Sequence, residues 1–260
     1  MLEVIRNRLR QGLATLRFPR GPAPEFADRF RGRPVRDPAR CPDDCRRCRL
    51  SAPSSLLVEG PGERTALDLG ACLFSPEEAA ACPAGAIAYT RDHRMAVRSR
   101  EALLTQTGEL ALAQALDERS RRLFGRSLRL RSVVAGSCGG CEAELIALGN
   151  VVFDLARFGV QFVASPRHAD GLVITGALNA NMRQALRQTY DAVPPPKIVL
   201  AVGACALSGG PFRGSEEVAD GVGGDIPVDL WVPGCPPHPL TILDGVLRLL
   251  GALEHGGGER

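Results

Sequence analysis

Apolar positions along the chain fall into two regimes that meet near Gly125. Beyond it, short apolar runs bounded by turn residues alternate with stretches of helical spacing. Leu128–Ala135, Val160–Ala164, Gly171–Thr175, Ile198–Val202 and Val228–Val232 have the length and the unbroken apolar character of buried strands. Residues 141–158, 178–190 and 239–252 carry the helical period between and after them. Strand–helix alternation of this kind predicts a mostly parallel sheet with helices on both faces. Pro194–Pro196 reads as a stiff lead-in to a strand.

Before Gly125 the pattern is different. Residues 1–24 begin with a basic amphipathic helix: Leu2, Ile5, Leu9, Leu13 and Leu16 share one face, with Arg6, Arg8, Arg10 and Arg17 around it. Such a helix docks on a partner, lies on a membrane surface, or covers its own domain. Residues 25–95 are rich in Pro, Gly, Arg and Cys and poor in periodic segments, as suits a small domain organised by a metal centre. Over 96–124 the spacing of Leu103, Leu104, Leu110, Leu112 and Leu116 predicts a connecting helix. Residues 125–260 then form the α/β unit.

Composition narrows the classes. A net charge of +3 over 260 residues gives no argument for a nucleic-acid partner. No apolar run reaches the roughly 18 residues of a membrane span, and the N-terminus lacks the pattern of an export signal. A cytoplasmic location is expected. Nine cysteines then need a reason, because disulfides are rare in that compartment. Metal ligation or redox chemistry is the usual one.

Position in the predicted fold groups four of them. Cys138 and Cys141 follow the first strand in Gly-Ser-Cys-Gly-Gly-Cys, Cys205 follows the strand ending at Val202, and Cys235 follows the one ending at Val232. The carboxyl ends of parallel strands share one edge, where ligands bind. Glycines beside each cysteine let the backbone approach a bulky inorganic core, and four thiolates are what a [4Fe–4S] cluster takes. Other readings of the same residues are a thioredoxin-like Cys-x-x-Cys pair, which leaves Cys205 and Cys235 without a role, and structural zinc, whose ligands usually arrive as two close pairs. Gly209-Gly210 is not a phosphate loop, since no Gly-Lys-Ser/Thr follows. His238 reads as a helix-start residue, and Glu142 and Glu144 as acids favouring a helix N-terminus.

The ordered trio CGGCEAEL, GACALSGG and PGCPPHP resembles the family that unites the 20 kDa (B-type) subunit of NADH–quinone oxidoreductase with the small subunit of [NiFe] hydrogenases. The likeness covers roughly residues 125–252. It implies a flavodoxin-like sheet, Cys138, Cys141, Cys205 and Cys235 as ligands of the [4Fe–4S] cluster nearest a catalytic large subunit, and proton handling near that interface as a further role for an acid after the Cys-x-x-Cys. Two glycines between the first cysteines resemble the hydrogenase pattern; the quinone-reductase branch has them adjacent. The extra C-terminal cluster region of uptake hydrogenases is not expected, which leaves the short small subunit of group 4, formate-hydrogenlyase-like, membrane-bound complexes as the nearest likeness.

A second site is expected upstream. Two-cluster ferredoxins carry two runs of C-x2-C-x2-C-x3-C-P, and the fourth Cys of each run ligates the other cluster. Sorted by cluster, one set is complete: Cys41, Cys45, Cys48 and Cys82, with one residue more than usual between Cys41 and Cys45. The other set reads Cys72, Ser75, Glu78 and Ala52, with a single cysteine. A small ferredoxin-like α+β domain keeping one [4Fe–4S] cluster is therefore predicted, with zinc or an empty site as alternatives and Cys72 a buried thiol. Phe30-Arg31-Gly32-Arg33-Pro34 and the basic helix resemble the start of the ferredoxin-like subunit of formate-hydrogenlyase and hydrogenase-4 complexes, so the chain resembles a fusion of two neighbouring subunits.

The resemblance implies an electron-transfer subunit with no complete catalytic site of its own. Its partners would be a hydrogenase-type or quinone-reductase-type large subunit and the other subunits of a membrane-bound complex, which would hold it on the inner face of the cell membrane. The competing class is a zinc-stabilised, non-redox module binding a nucleotide or a partner; against it, no glycine fingerprint for phosphate opens any predicted helix.

Overall fold

The computed structural model describes residues 2–21, 24–41, 56–59, 65–125 and 127–253. Helix α1 (Leu2–Gln11) buries none of its residues. It stops short of the expected length at Gly12, whose φ of 65° takes the chain out of the helix. Leu16 and Phe18 then pack on the core of the C-terminal half, and the Leu16 N–H donates to the Val152 carbonyl at 2.9 Å.

Next come β1 (Pro34–Arg36), β2 (Leu57–Glu59), β3 (Thr65–Asp68), α2 (Pro76–Ala80), β4 (Ile87–Tyr89) and β5 (Leu104–Thr105). β1 pairs antiparallel with β4, and β2, β3 and β5 form a three-stranded antiparallel sheet. The connecting helix expected over 96–124 is absent apart from α3 (Glu118–Phe124) and one 3-10 turn at Glu101–Leu103. Gly108 explains much of this: its φ is 95°, and a Cβ there would lie 2.3 Å from the Pro34 carbonyl oxygen. The segment folds back on itself, with the Ala113 N–H bonded to the Ala96 carbonyl, and then meets the C-terminal half, with the Leu116 N–H bonded to the Leu249 carbonyl. Leucine spacing imitated a helix, but Leu103 and Leu116 are buried while Leu104 is exposed, as no single helical face would have them.

The C-terminal half alternates β6 (Leu128–Val134), α4 (Gly140–Ala147), β7 (Val160–Phe162), β8 (Gly171–Thr175), α5 (Ala180–Ala192), β9 (Ile198–Val202), α6 (Ala204–Ser208), β10 (Leu230–Val232) and α7 (Pro239–Leu249). All pairings are parallel, in the order β10-β9-β8-β6-β7. Counted along the chain this is the 2-1-3-4-5 order of flavodoxin-like sheets. β8 and β9 are buried at every position. The expected helix over 141–158 ends at Ala147, and a loop with Asp154 at φ 48° leads to a 3-10 turn at Leu155–Phe158.

Strand alternation sends residues to two separate cores. Leu172, Ile174, Val199 and Ala201 join α5 and the N-terminal half, which supplies Leu56, Leu67, Leu69 and Leu103. Val173, Ile198, Leu200 and Val202 meet Leu145 of α4 and nearly all of α7 on the opposite face. The sheet is thus covered on both sides, and one cover is largely the N-terminal half. That half also extends the sheet, through a Val97–Trp231 antiparallel bridge beside β10.

Candidate metal centre

Three loops at the carboxyl edge of the sheet carry Cys138, Cys141, Cys205 and Cys235. After β6 the chain passes Gly136 (φ 131°) and Gly139 (φ 86°) before entering α4. Cys138 precedes that turn and Cys141 lies in the first turn of the helix. After β9, Gly203 (φ 90°) leads directly into α6, which holds Cys205. Backbone bonds from Gly203 to Val232 at 2.9 Å and from Ala204 to Gly234 at 2.8 Å tie this loop to the one bearing Cys235. The β6 loop is held to the β8 loop by the Ala177 N–H on the Gly136 carbonyl, at 2.8 Å.

Two glycines are required by the sulfurs. A Cβ on Gly203 would lie 2.4 Å from the Cys141 Sγ, and one on Gly210 would lie 2.9 Å from the Cys205 Sγ. Gly140 faces the Cys138 Sγ and Pro236, each 3.6 Å from a Cβ placed there. Residues 141 and 203 therefore meet across the edge only because one of them has no side chain.

The four thiols feel one another. Cys141 is pushed up to about 12, by burial first and then by Glu142, Cys205, Cys235 and Cys138. Cys205 is pushed up to about 11, by burial and then by Cys235 and Cys138. Burial also raises Cys235, followed by Cys138 and Glu78. Four thiolates here need a cationic centre to offset desolvation and mutual repulsion. Among the described residues no three His, Cys, Asp or Glu groups close around a single ion. Four thiols on three loops at one sheet edge fit the donor set of a [4Fe–4S] cluster.

Two acids near the site have different settings. The Glu142 carboxylate accepts from the Ser137 hydroxyl at 2.6 Å and from the Thr175 hydroxyl, bracing the β6 loop against β8. Glu144 is pushed up by burial and lines a cavity of about 220 Å³ with Phe30, Arg31, Phe74, Cys235 and His238. His238 does start a helix: its Nδ1 accepts from the Leu240 N–H at 3.1 Å. Its ring sits among Phe26, Phe30 and Phe153.

Of the upstream ligand set, Cys45 and Cys48 lie outside the described residues, as does Ala52. Cys41 is half-buried and accepts from Arg36 Nη1 at 3.4 Å. Cys82 is buried and accepts from the Ala86 N–H at 3.4 Å. The two approach the same β1–β4 ladder, where the Asp37 N–H donates to the Ala86 carbonyl. Cys72 is buried, as expected.

Residues 138–249 match the family described as NADH ubiquinone oxidoreductase, 20 Kd subunit. A probable membrane-bound hydrogenase subunit, mbhJ of Pyrococcus furiosus, is 43% identical over 132 residues, which make up 51% of this chain and 79% of that protein. The chain belongs to the 20 Kd subunit family. Two further members show how far the likeness reaches. The B-type subunit of NADH-quinone oxidoreductase from Heliobacterium modesticaldum is 46% identical over 116 residues, 44% of this chain and 66% of that protein. Formate hydrogenlyase subunit 7 of Escherichia coli is 43% identical over 129 residues, 50% of this chain and 51% of that protein. The family match begins at Cys138 and takes in Cys141, Cys205 and Cys235, while every upstream cysteine lies outside it.

Sequence reasoning missed the bracing role of Glu142 and the contact between Gly203 and Cys141. The first had a signal in the hydroxyls of Ser137 and Thr175. The second had none beyond a glycine two residues before Cys205.

Proposed function

We propose that this chain is the iron–sulfur electron-transfer subunit of a membrane-associated oxidoreductase complex of the hydrogenase or NADH–quinone oxidoreductase kind. One observation carries the reading: four thiols come from three strand ends to one edge of the sheet, near enough for Cys138, Cys205 and Cys235 to act on Cys141, inside the stretch shared with the family. Cys138, Cys141, Cys205 and Cys235 would hold a [4Fe–4S] cluster, which accepts and releases one electron at a time. Gly203 and Gly210 give it room, and Glu142 fixes the loop of Cys138. Exposed Ile146 on α4 and Val151 just beyond it offer an apolar surface beside the cysteines for a large subunit.

In the same reading the N-terminal half is a ferredoxin-like domain with a second cluster on Cys41, Cys45, Cys48 and Cys82. Electrons pass between that cluster, the C-terminal one and the catalytic partner. No helix among the described residues is long and apolar enough to cross a membrane, so attachment to the inner face of the cell membrane would come through the complex.

The test is metal and sulfide analysis of anaerobically reconstituted protein, with EPR after reduction. About eight irons per chain are expected, falling to about four in either Cys205→Ser or Cys45→Ser. About four irons, lost in Cys205→Ser and kept in Cys45→Ser, would confine electron transfer to the C-terminal site. A folded protein with stoichiometric zinc and no iron would overturn the proposal.

A further inference from the structure

The segment from Val97 to Leu103 belongs to neither group of cysteines, yet it joins the two halves of the chain. Val97 exchanges both backbone bonds with Trp231 of β10, at 3.0 and 2.9 Å, and the Leu103 carbonyl accepts from the Leu69 N–H at 3.0 Å. Arg100, midway between these anchors, sends its guanidinium to both sides. Its Nη2 donates to the Asp68 carboxylate at 2.7 Å, and its Nε donates to the Leu207 carbonyl at 3.1 Å. Asp68 ends β3 and is buried. It also accepts from the Gly70 N–H at 3.0 Å and faces Arg213 Nη1 at 3.7 Å. Leu207 lies in α6, two residues after Cys205.

Helix α6 has five residues, so nearly all of its carbonyls need partners beyond the helical ladder. The Ser208 hydroxyl donates to Ala204 at 3.0 Å, the Gly209 N–H to Cys205 at 3.0 Å and the Val222 N–H to Ala206 at 2.9 Å. Leu207 is left for Arg100, a basic side chain capping the last turn from a distant part of the sequence. Among these partners only Arg100 comes from the N-terminal half. Gly70 makes room for it: a Cβ there would lie 2.7 Å from the Arg100 Cζ and 2.8 Å from Nη1. Asp68, Gly70 and Arg100 all precede residue 138, where the family match begins.

We propose that Arg100 is a positioning residue for the Cys205 thiol, the clamp by which the N-terminal half fixes the short helix that carries it. A planar fork of N–H donors seated on a buried carboxylate holds one orientation. The backbone of α6, and Cys205 with it, is thereby located from outside the C-terminal half. The consequence for a bound cluster rests on the proposed function.

The experiment is timed alkylation of the reduced, metal-free full chain with iodoacetamide, read site by site by mass spectrometry. Arg100→Gln removes one charged hydrogen bond to α6 and is expected to speed labelling of Cys205 about tenfold. Arg213 remains beside Asp68 in that variant. Cys72 and Cys82 are buried and should label no faster, whereas a general loosening of the fold would expose them as well. Arg100→Lys keeps the charge but not the fork and is expected to label as Arg100→Gln does. Gly70→Ala crowds the guanidinium without removing it, is expected to move the rate the same way, and decides the matter if Arg100→Gln does not fold. In reconstituted protein, the signal lost in Cys205→Ser should disappear about tenfold faster under an iron chelator in Arg100→Gln. Unchanged Cys205 labelling, equal acceleration at Cys72 and Cys82, or a parental rate in Arg100→Lys overturns the inference. Parental resistance to the chelator in loaded Arg100→Gln does so too. Absence of a cluster from the parent chain would overturn the proposed function and leave the labelling of Cys205 to decide the clamp.

Discussion

At the scale of single residues, the site depends on side chains that are missing as much as on the four thiols. Gly203 shows this most directly, because two independent constraints fall on it. Its φ of 90° strains any L side chain, and a Cβ would meet the Cys141 sulfur at 2.4 Å. Gly214, at φ 78° with nothing within 4 Å, carries only the first constraint. If the proposed cluster is bound, Gly203→Ala is therefore expected to lose most of its roughly four irons, while Gly214→Ala keeps them and costs about 1–3 kcal/mol of backbone strain. Iron analysis and a thermal melt of the two variants decide it, and full iron in Gly203→Ala would mean the loop has room to give. The four cysteines were legible in the sequence because each follows an apolar run that ends in glycine. The 141–203 contact was not, since it depends on how two loops cross after the sheet has formed. Glu78 was legible only as a missing ligand; that its carboxylate accepts from Leu73, Ser75, Tyr89 and Cys72 was not legible.

At the scale of elements, α7 was the easiest to read and α1 and the 96–124 segment the hardest. α7 opens with His238-Pro239, a cap followed by Pro in the first turn, and is apolar nearly all round because it is buried nearly all round. In 96–124 a leucine pattern was over-read, because periodicity cannot register that Gly108 must pass against the backbone of β1. The α7 cap has a consequence for pH. Burial among phenylalanines, and then His93, push the His238 imidazole down from its ordinary 6.5 to about 4, and burial lowers His93 as well. A folded-state value below the unfolded one means that the unfolded chain takes up the proton first as pH falls. The stabilisation is complete above about 6.5 and is lost progressively toward about 4. His238→Asn keeps a capping side chain and removes the titration. At pH 7 it should cost about 1 kcal/mol of ring packing, and between pH 7 and pH 5 it should lose less stability than the parent chain does. Urea midpoints at the two pH values measure the difference. Equal losses would show that the His238 ring is free to charge in place.

At the scale of the whole molecule, the sequence divided at Gly125 by pattern, but the packing does not divide there. The short antiparallel pieces of the N-terminal half set Leu56, Leu67, Leu69 and Leu103 against Leu172, Ile174 and Leu186. Each such side chain removed from water contributes about 1.5–3 kcal/mol. Gly245 of α7 approaches the segment before β5 so closely that a Cβ would lie 2.5 Å from the Ala96 Cβ. A stretch poor in periodic segments still joins the core, because a cover that shares its core with a neighbouring sheet needs no periodicity of its own. Two deletions should therefore behave very differently. Loss of residues 2–11 removes a helix that buries nothing and is expected to change stability by less than about 0.5 kcal/mol. Loss of residues 2–95 uncovers one face of the sheet and is expected to leave a chain that does not fold cooperatively. In the intact protein, Trp231, the only tryptophan, sits at the Val97 bridge between the halves, so its fluorescence reports on that junction. Its denaturation curve should coincide with the far-UV circular dichroism of the whole chain. A fluorescence transition that precedes the loss of ellipticity would mean that the N-terminal half comes away from a sheet able to stand without it.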